Sequence, residues 1–360
     1  MIFFSVFRRL ILVLIFLLIL VSCDKEDTDQ GGDVDPLYSP SAADDARHEL
    51  TNLNSFEWWY FDATFDNKYS IVTSWHRGIQ AFTPLIGIPY NLILFAVYDS
   101  VGTASIIPAI FEEKDVIISD KSCDVTMGPN HVYGNYPTYR IHFLQGGLGC
   151  DLVFTNMTQG YRSSPDGIYK FGQDPYRYLG WVVAQPRATV SGTLFYNGRE
   201  IPVTGNGYHD HNWGNVPLKS LYNFWYWGRI LLKGYTFVYS SGEMSDGLGH
   251  QPTNTLISFK DKKVIEVTGA ISRETLDMNY DPFSTLWYPE RLKLTISGQK
   301  VSGVFDIQLI KILEHIGMPW DTSQVGHGYI RFLSVCYSDL LVEGQAVKET
   351  DTVIHELMKP

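Results

Sequence analysis

At 360 residues the chain is longer than one ordinary core requires, so two domains or one large β domain are expected. Hydrophobic residues make up 45% and charged residues 19%, a globular profile rich in aromatics that excludes extensive disorder outside the ends. The net charge of −11 comes without a basic stripe, which argues against a nucleic-acid partner.

The chain opens with a targeting segment, residues 1–22. Arg8 and Arg9 supply its positive start, and Leu10 to Val21 is an apolar run shorter than the ~20 residues that cross a bilayer. The run ends in Leu20-Val21-Ser22-Cys23, which resembles a bacterial lipobox and implies that Cys23 is acylated and becomes the mature N-terminus. An ordinary cleaved signal with a chance cysteine is the alternative. Residues 23–47, starting Asp24-Lys25-Glu26-Asp27, then read as a solvated acidic tether. Much of the negative charge sits there, so no cationic partner is inferred. The expected address is the bacterial cell envelope: a lipoprotein on a membrane, the outer one by the acidic stretch's resemblance to surface-export signals. Cys123, Cys150 and Cys336 remain, enough for one disulfide; Cys123 and Cys150 flank one hairpin region, and spacing leaves their pairing open.

From Phe56 onward short runs rich in Val, Ile, Phe, Tyr and Thr alternate with turn residues. Ser70 to Trp75, Asn91 to Tyr98, Val116 to Ser119, Tyr139 to Leu144 and Asp151 to Thr155 read as strands, with Gly146-Gly147 marking a hairpin. Residues 156–180 are rich in turn residues and read as a surface excursion or lid. Asn197-Gly198 then marks a strong hairpin between Ala188 to Tyr196 and Glu200 to Val203. After Gly214 the rhythm resumes through Phe224 to Leu232, Tyr235 to Ser240 and several further strands, with Lys311 to Ile316 a possible turn of helix. The expectation is an all-β chain in two halves that divide near Val216 to Tyr222, with domains at 48–218 and 219–360.

Gly205 to Asn215 is the densest polar stretch: Gly-Asn-Gly-Tyr-His-Asp-His-Asn-Trp-Gly-Asn. If extended, it sends His209, His211 and Trp213 to one face and Tyr208, Asp210 and Asn212 to the other. Turn chemistry with locally satisfied histidines competes with a functional role. Phe56 to Ala63 is the second dense stretch. As a strand it places Phe56, Trp58, Tyr60 and Asp62 on one face and Glu57, Trp59, Phe61 and Ala63 on the other, one carboxylate among aromatics on each. Desolvation there would raise a carboxyl pKa, the condition a general acid needs; an ordinary aromatic core strand is the bland alternative. His76 follows one strand later and could reach the same cavity. A metal held by His209 and His211 with His76 or a carboxylate was weighed, but two histidines one residue apart are a weak signal and no metal is assigned.

Glu57 to Asp62, Gly207 to Gly214 and Trp225-Tyr226-Trp227-Gly228-Arg229, in that order, together resemble the carotenoid 1,2-hydratase (hydroxyneurosporene synthase) family and its relatives, kievitone hydratase and the fungal decalin-forming Diels-Alderases among them. The resemblance runs from about Glu49 to the C-terminus. It implies two tandem lipocalin-like β-barrel domains with an apolar pocket, and cofactor-independent hydratase or cyclase chemistry on a hydrophobic unsaturated substrate. It places His211 and Trp213 at the reacting centre with Tyr239 as a cavity-lining hydroxyl; Asp210 joins these three as a candidate catalytic residue, and Glu57, Trp58, Tyr60, His76, His209, Trp225 and Trp227 are candidates to line the substrate, with core packing the alternative for Trp225 and Trp227. Aromatic faces suit a carbocation. Where the hydratases carry an aspartate two residues after the tyrosine, this chain has Ser241, which cannot protonate an alkene; Asp210 or Glu57 would serve only if burial raises its pKa. A cyclase tolerates Ser241. A non-catalytic carrier of an apolar ligand in the envelope is the alternative from another class.

Overall fold

The structure is a computed structural model that describes residues 39–79, 90–173, 177–317 and 326–360. The signal segment, Cys23 and most of the acidic tether therefore lie outside the described residues. Within them there is no α-helix, and no helix long and apolar enough to cross a membrane.

The chain forms two antiparallel sheets, one after the other. The first contains β1 (Phe56–Phe65), β2 (Ser70–Ile79), β3 (Tyr90–Tyr98), β4 (Ala104–Phe111), β5 (Val116–Ile118), β6 (Cys123–Met127), β7 (Asn130–Asn135), β8 (Thr138–Gln145), β9 (Leu148–Asn156), β10 (Tyr161–Arg162), β11 (Ile168–Lys170), β12 (Tyr178–Tyr196) and β13 (Arg199–Gly214). Their order is β4-β3-β2-β1-β13-β12-β9-β8-β7-β6-β5, with β10 and β11 beside β12. The second contains β14 (Tyr222–Leu232), β15 (Tyr235–Met244), β16 (Pro252–Lys260), β17 (Lys263–Thr268), β18 (Ile271–Asp281), β19 (Leu286–Ser297), β20 (Val301–Gly317), β21 (Gly328–Val342) and β22 (Gln345–Lys359), ordered β17-β16-β15-β14-β22-β21-β20-β19-β18. The first sheet curls into a nearly closed barrel and the second into a half-barrel, so the fold is two tandem lipocalin-like barrel domains.

Period-2 alternation sorts the side chains into three layers. Trp59, Phe61, Phe95, Phe143 and Phe154 fill the first barrel, and Phe237, Phe305, Phe332 and Tyr239 the second. The opposite faces of the same strands meet in a third layer, where Tyr60, Tyr98, Trp181 and Tyr208 pack against Trp227, Val238, Ile257 and Phe259. The sequence reads the Asn197-Gly198 hairpin correctly, since both residues take the positive φ that its tight turn demands.

Three local readings change. Lys311 to Ile316 is strand, not helix: β20 carries irregularities between Leu309 and Lys311 and between Ile312 and Glu314, and these break the alternation that marks a strand. The surface excursion read at 156–180 is, over its described residues, paired to the sheet, because β10 and β11 both bond to β12. The tether reading fails at its C-terminal end. Ala42–Asp45 is a 3-10 turn whose Asp45 is 1% exposed, and residues 41–49 form a strap against the first sheet.

Candidate functional site

The alternation of β13 determines everything about the central motif. Paired with β1 in the register Tyr60↔Asp210 and Trp59↔His211, it sends His209, His211 and Trp213 into the first barrel, and Tyr208 and Asp210 into the layer between the sheets.

On the barrel side the histidines hold the strap. The Nε2 of His209 lies 2.9 Å from Asp45 Oδ2, and its Nδ1 lies 2.9 Å from the Tyr60 carbonyl. The Nε2 of His211 lies 3.1 Å from Glu57 Oε1, and its Nδ1 lies 3.3 Å from the Asp44 carbonyl. The backbone N–H of His48 donates to the same Glu57 oxygen at 2.6 Å, and Arg77 approaches the other at 3.5 Å. Stacking completes the lock, with His48 on Trp213 at 3.6 Å, His211 on Trp59 at 4.4 Å and His209 on Phe61 at 3.8 Å. Trp213 itself lies across Gly180 of β12, where a Cβ would sit 2.1 Å from the indole. Burial pushes the Glu57 carboxyl up, but the hydrogen bonds from His211 and His48 outweigh it and hold it at about 2. Glu57 is therefore an ionised structural anchor and no proton donor at neutral pH. The ligand atoms of His48, Glu57 and His211 lie within 4.8 Å of one another, as do those of Asp45, Cys123 and His209, so either trio has the reach to hold an ion.

On the other face the electrostatics are reversed. The Asp210 carboxyl, 5% exposed, accepts hydrogen bonds at Oδ2 from Trp181 Nε1 and the Tyr208 hydroxyl, both at 2.8 Å, and at Oδ1 from Asn212 Nδ2 at 3.0 Å. Burial pushes Asp210 up to about 7, against the downward pull of the Trp181 and Tyr208 bonds. The rings around it are closely spaced, with Trp227 5.0 Å from Tyr208 and 5.5 Å from Tyr60. Ion pairs stitch the layer from the second domain: Arg229 to Asp62, and Arg331 to Glu314, with Arg331 Nη1 donating to the Tyr60 hydroxyl at 2.9 Å. Glu356 accepts from the Tyr329 hydroxyl at 2.9 Å, and burial raises its carboxyl as well.

The four candidate catalytic residues are thus divided among three layers. His211 and Trp213 belong to the first barrel, Asp210 to the layer between the sheets, and Tyr239 to the second barrel, because neighbours on a strand face opposite ways and β15 belongs to another sheet. Ser241 also faces the second core, donating to Asn254 Oδ1 at 2.8 Å and accepting from Arg273 at 3.0 Å. Trp58, Tyr60, Trp225 and Trp227 do share the middle layer with Asp210. His76 stands with them, its ring 6.0 Å from Trp58 and its Nε2 2.8 Å from the Ser74 hydroxyl, and burial lowers its pKa to about 4. Glu57 and His209 are on the barrel side, which also removes any set joining His209 and His211 to His76. The three cysteines are buried free thiols.

Sequence reasoning passed over Trp181, Tyr208, Arg229 and the strap residues Asp45 and His48. Tyr208 and Arg229 were within reach, since each shares a strand face with a singled-out residue two positions away. Trp181 and the strap come from remote segments and carry no local signal.

Two tandem lipocalin-like barrels with a polar, aromatic layer between their sheets define the class of fold. No family model matches the chain. The chain is 28% identical over 232 residues to a quinolone epoxide rearrangement protein of Penicillium thymicola, covering 59% of this chain and 61% of that protein. It is 26% identical over 234 residues to a hydroxyneurosporene dehydrogenase of Chlorobaculum tepidum, covering 54% and 58% respectively. It therefore spans about three fifths of the length of these curated relatives. Among solved structures, kievitone hydratase of Nectria haematococca superposes with a TM-score of 0.59 at 14% identity, covering 91% of this chain and 95% of that one. The similarity is to the carotenoid-hydratase-like lipocalin superfamily indicated by the three motifs.

Proposed function

We propose that the chain is an enzyme that binds a hydrophobic unsaturated small molecule between its two sheets and starts a hydration, rearrangement or cyclisation by proton transfer from Asp210. The observation that carries this reading is the Asp210 carboxyl, buried and raised to about 7 among aromatic rings. A general acid works best with a pKa near the ambient pH, and Asp210 meets that condition where Glu57 does not. Because Oδ2 accepts two hydrogen bonds and Oδ1 only one, from Asn212, Oδ1 is the atom that would carry the transferable proton. Proton transfer to an alkene carbon or an epoxide oxygen leaves cationic character that the faces of Tyr60, Tyr208 and Trp227 would stabilise, by about 0.5–2 kcal/mol per well-placed ring. Water then captures the cation and gives up a proton to the Asp210 carboxylate, or the rearranged cation returns its proton there; either path regenerates the acid. Neither path calls on a cofactor. The name of one relative, a quinolone epoxide rearrangement protein, agrees with acid-initiated rearrangement, while that of the hydroxyneurosporene dehydrogenase supports only the kind of substrate and not this reaction.

In the same reading Cys23 carries the lipid anchor and the protein works at the bacterial envelope; loss of fatty-acid labelling in Cys23→Ser tests the anchor. Native mass spectrometry of wild type and Asp210→Asn from a related bacterial host tests the chemistry. A ligand retained unmodified only by the variant supports turnover. The same ligand held equally by both proteins identifies a carrier and sinks the assignment.

A further inference from the structure

Trp225, Trp227 and Arg229 alternate onto one face of β14 and enter the layer that holds Asp210. The donors without a hydrogen-bond partner among the described residues include two on this strand face, Trp227 Nε1 and Arg229 Nη1. Both side chains are 7% exposed. Buried N–H groups are nearly always paired, so two unpaired donors two positions apart on one strand face call for a reason. They also converge. The Trp227 ring lies 5.0 Å from Tyr208, and the Arg229 guanidinium carbon lies 5.9 Å from the centre of that same ring. Tyr208 in turn donates to Asp210.

Charge balance decides which oxygen would fit. The Nη2 of Arg229 is already paired with the buried Asp62 carboxylate, which also accepts the Tyr60 hydroxyl at 3.3 Å. With its charge matched, the guanidinium has a spare N–H but no spare positive charge, so a full anion beside Asp62 would be left uncompensated. A neutral acceptor is matched by two N–H donors. We infer that Trp227 Nε1 and Arg229 Nη1 form a two-donor site for a carbonyl oxygen, so the substrate is a hydrophobic molecule bearing a ketone, enone or amide and not a plain hydrocarbon. The inference rests on the proposal that a ligand occupies this layer. It adds selectivity, because a site built to donate hydrogen bonds discriminates strongly against an analogue that lacks the acceptor.

The test is ligand quenching of tryptophan fluorescence in the purified full-length chain, at fixed detergent, with three isoprenoid probes: farnesylacetone (a ketone), farnesene (a hydrocarbon) and farnesoate (a carboxylate). Tightest binding is expected for the ketone, about tenfold over the hydrocarbon. Trp227→Phe keeps a ring and removes one donor, so it should weaken the ketone about tenfold more than it weakens farnesene. The double variant Asp62→Asn/Arg229→Gln removes the ion pair without stranding a charge and should erode the same preference. Equal affinity for ketone and hydrocarbon, equal weakening of both by Trp227→Phe, or tighter binding of the carboxylate would each overturn the inference while leaving a ligand site between the sheets. Failure of all three probes to bind would instead overturn the underlying proposal.

Discussion

Replacing Asp210 with asparagine isolates the energetic consequence of keeping a carboxyl in the layer between the sheets. Its folded pKa of about 7 stands above the ordinary 3.8, so the native state binds this proton more tightly than the unfolded chain does. The sign follows: the contribution to stability is complete below about pH 4, declines as pH rises toward 7, and is absent above. At about 1.4 kcal/mol per pH unit, the whole displacement is worth about 4 kcal/mol. Asparagine titrates nowhere in this range. It also sets an amide donor against Trp181, Tyr208 or Asn212, a constant penalty of about 1–2 kcal/mol that does not depend on pH. Urea unfolding at pH 4.5 and pH 8 reads the difference. Wild type should lose several kcal/mol over that interval relative to the variant, with the two curves converging or crossing near neutral pH. Parallel curves would mean that Asp210 is ionised throughout, and the proton-donor role would fall with that result.

Four further outcomes follow from the same geometry. Glu57→Gln should destabilise the protein by about 3–5 kcal/mol in thermal unfolding, since it strips the charged partner from the buried His211 and His48. Because the folded pKa of Glu57 is about 2 against an ordinary 4.5, its contribution is present above pH 4.5 and lost as pH falls toward 2, so the variant's acid-unfolding curve should be flatter there. Gly180→Ala should cost about 1–3 kcal/mol and shift the emission of Trp213, because the new methyl meets the indole; an unshifted spectrum at full stability would contradict the packing. Cys123, Cys150 and Cys336 are buried with raised pKa values, so a thiol reagent should label none in the native protein and all three in urea.

The fold was legible where local pattern and final structure coincide. The alternation through Phe56 to Ala63 and Tyr208 to Trp213 assigns every side chain to the face it occupies, and Asn197-Gly198 places its hairpin to the residue. Less legible were strands whose alternation is interrupted, such as β20 with its two irregularities, the largely exposed β18, and β22, whose polar residues hide a buried face. The strap was invisible for a different reason. Residues 41–49 look like acidic spacer, and only the tertiary meeting of Asp45 with His209 turns them into part of the core. Burial of that carboxylate is stabilising because a histidine faces it, and no window of sequence contains both.

The candidate catalytic set joins Asp210 to His211 and Trp213, but the alternation of an extended strand sends them to opposite faces. His209 and His211 each spend both ring nitrogens on carboxylates and backbone carbonyls, a use that fixes a strap and leaves no nitrogen for a substrate. Asp210, between them in sequence, has no basic partner within hydrogen-bonding distance; it is held by an indole, a phenol and an amide, all neutral donors. Neutral donors position a carboxyl without paying to ionise it, whereas the imidazoles that grip Glu57 drive it to the charged form. The two acids therefore diverge by about five pH units although Glu57 and Asp210 sit on paired strands. That divergence separates an anchor from a proton donor. It predicts that His211→Ala will damage stability first, while Asp210→Asn, in a chain that stays folded, will remove turnover; a folded His211→Ala protein lacking all activity beside an active Asp210→Asn would reverse the assignment.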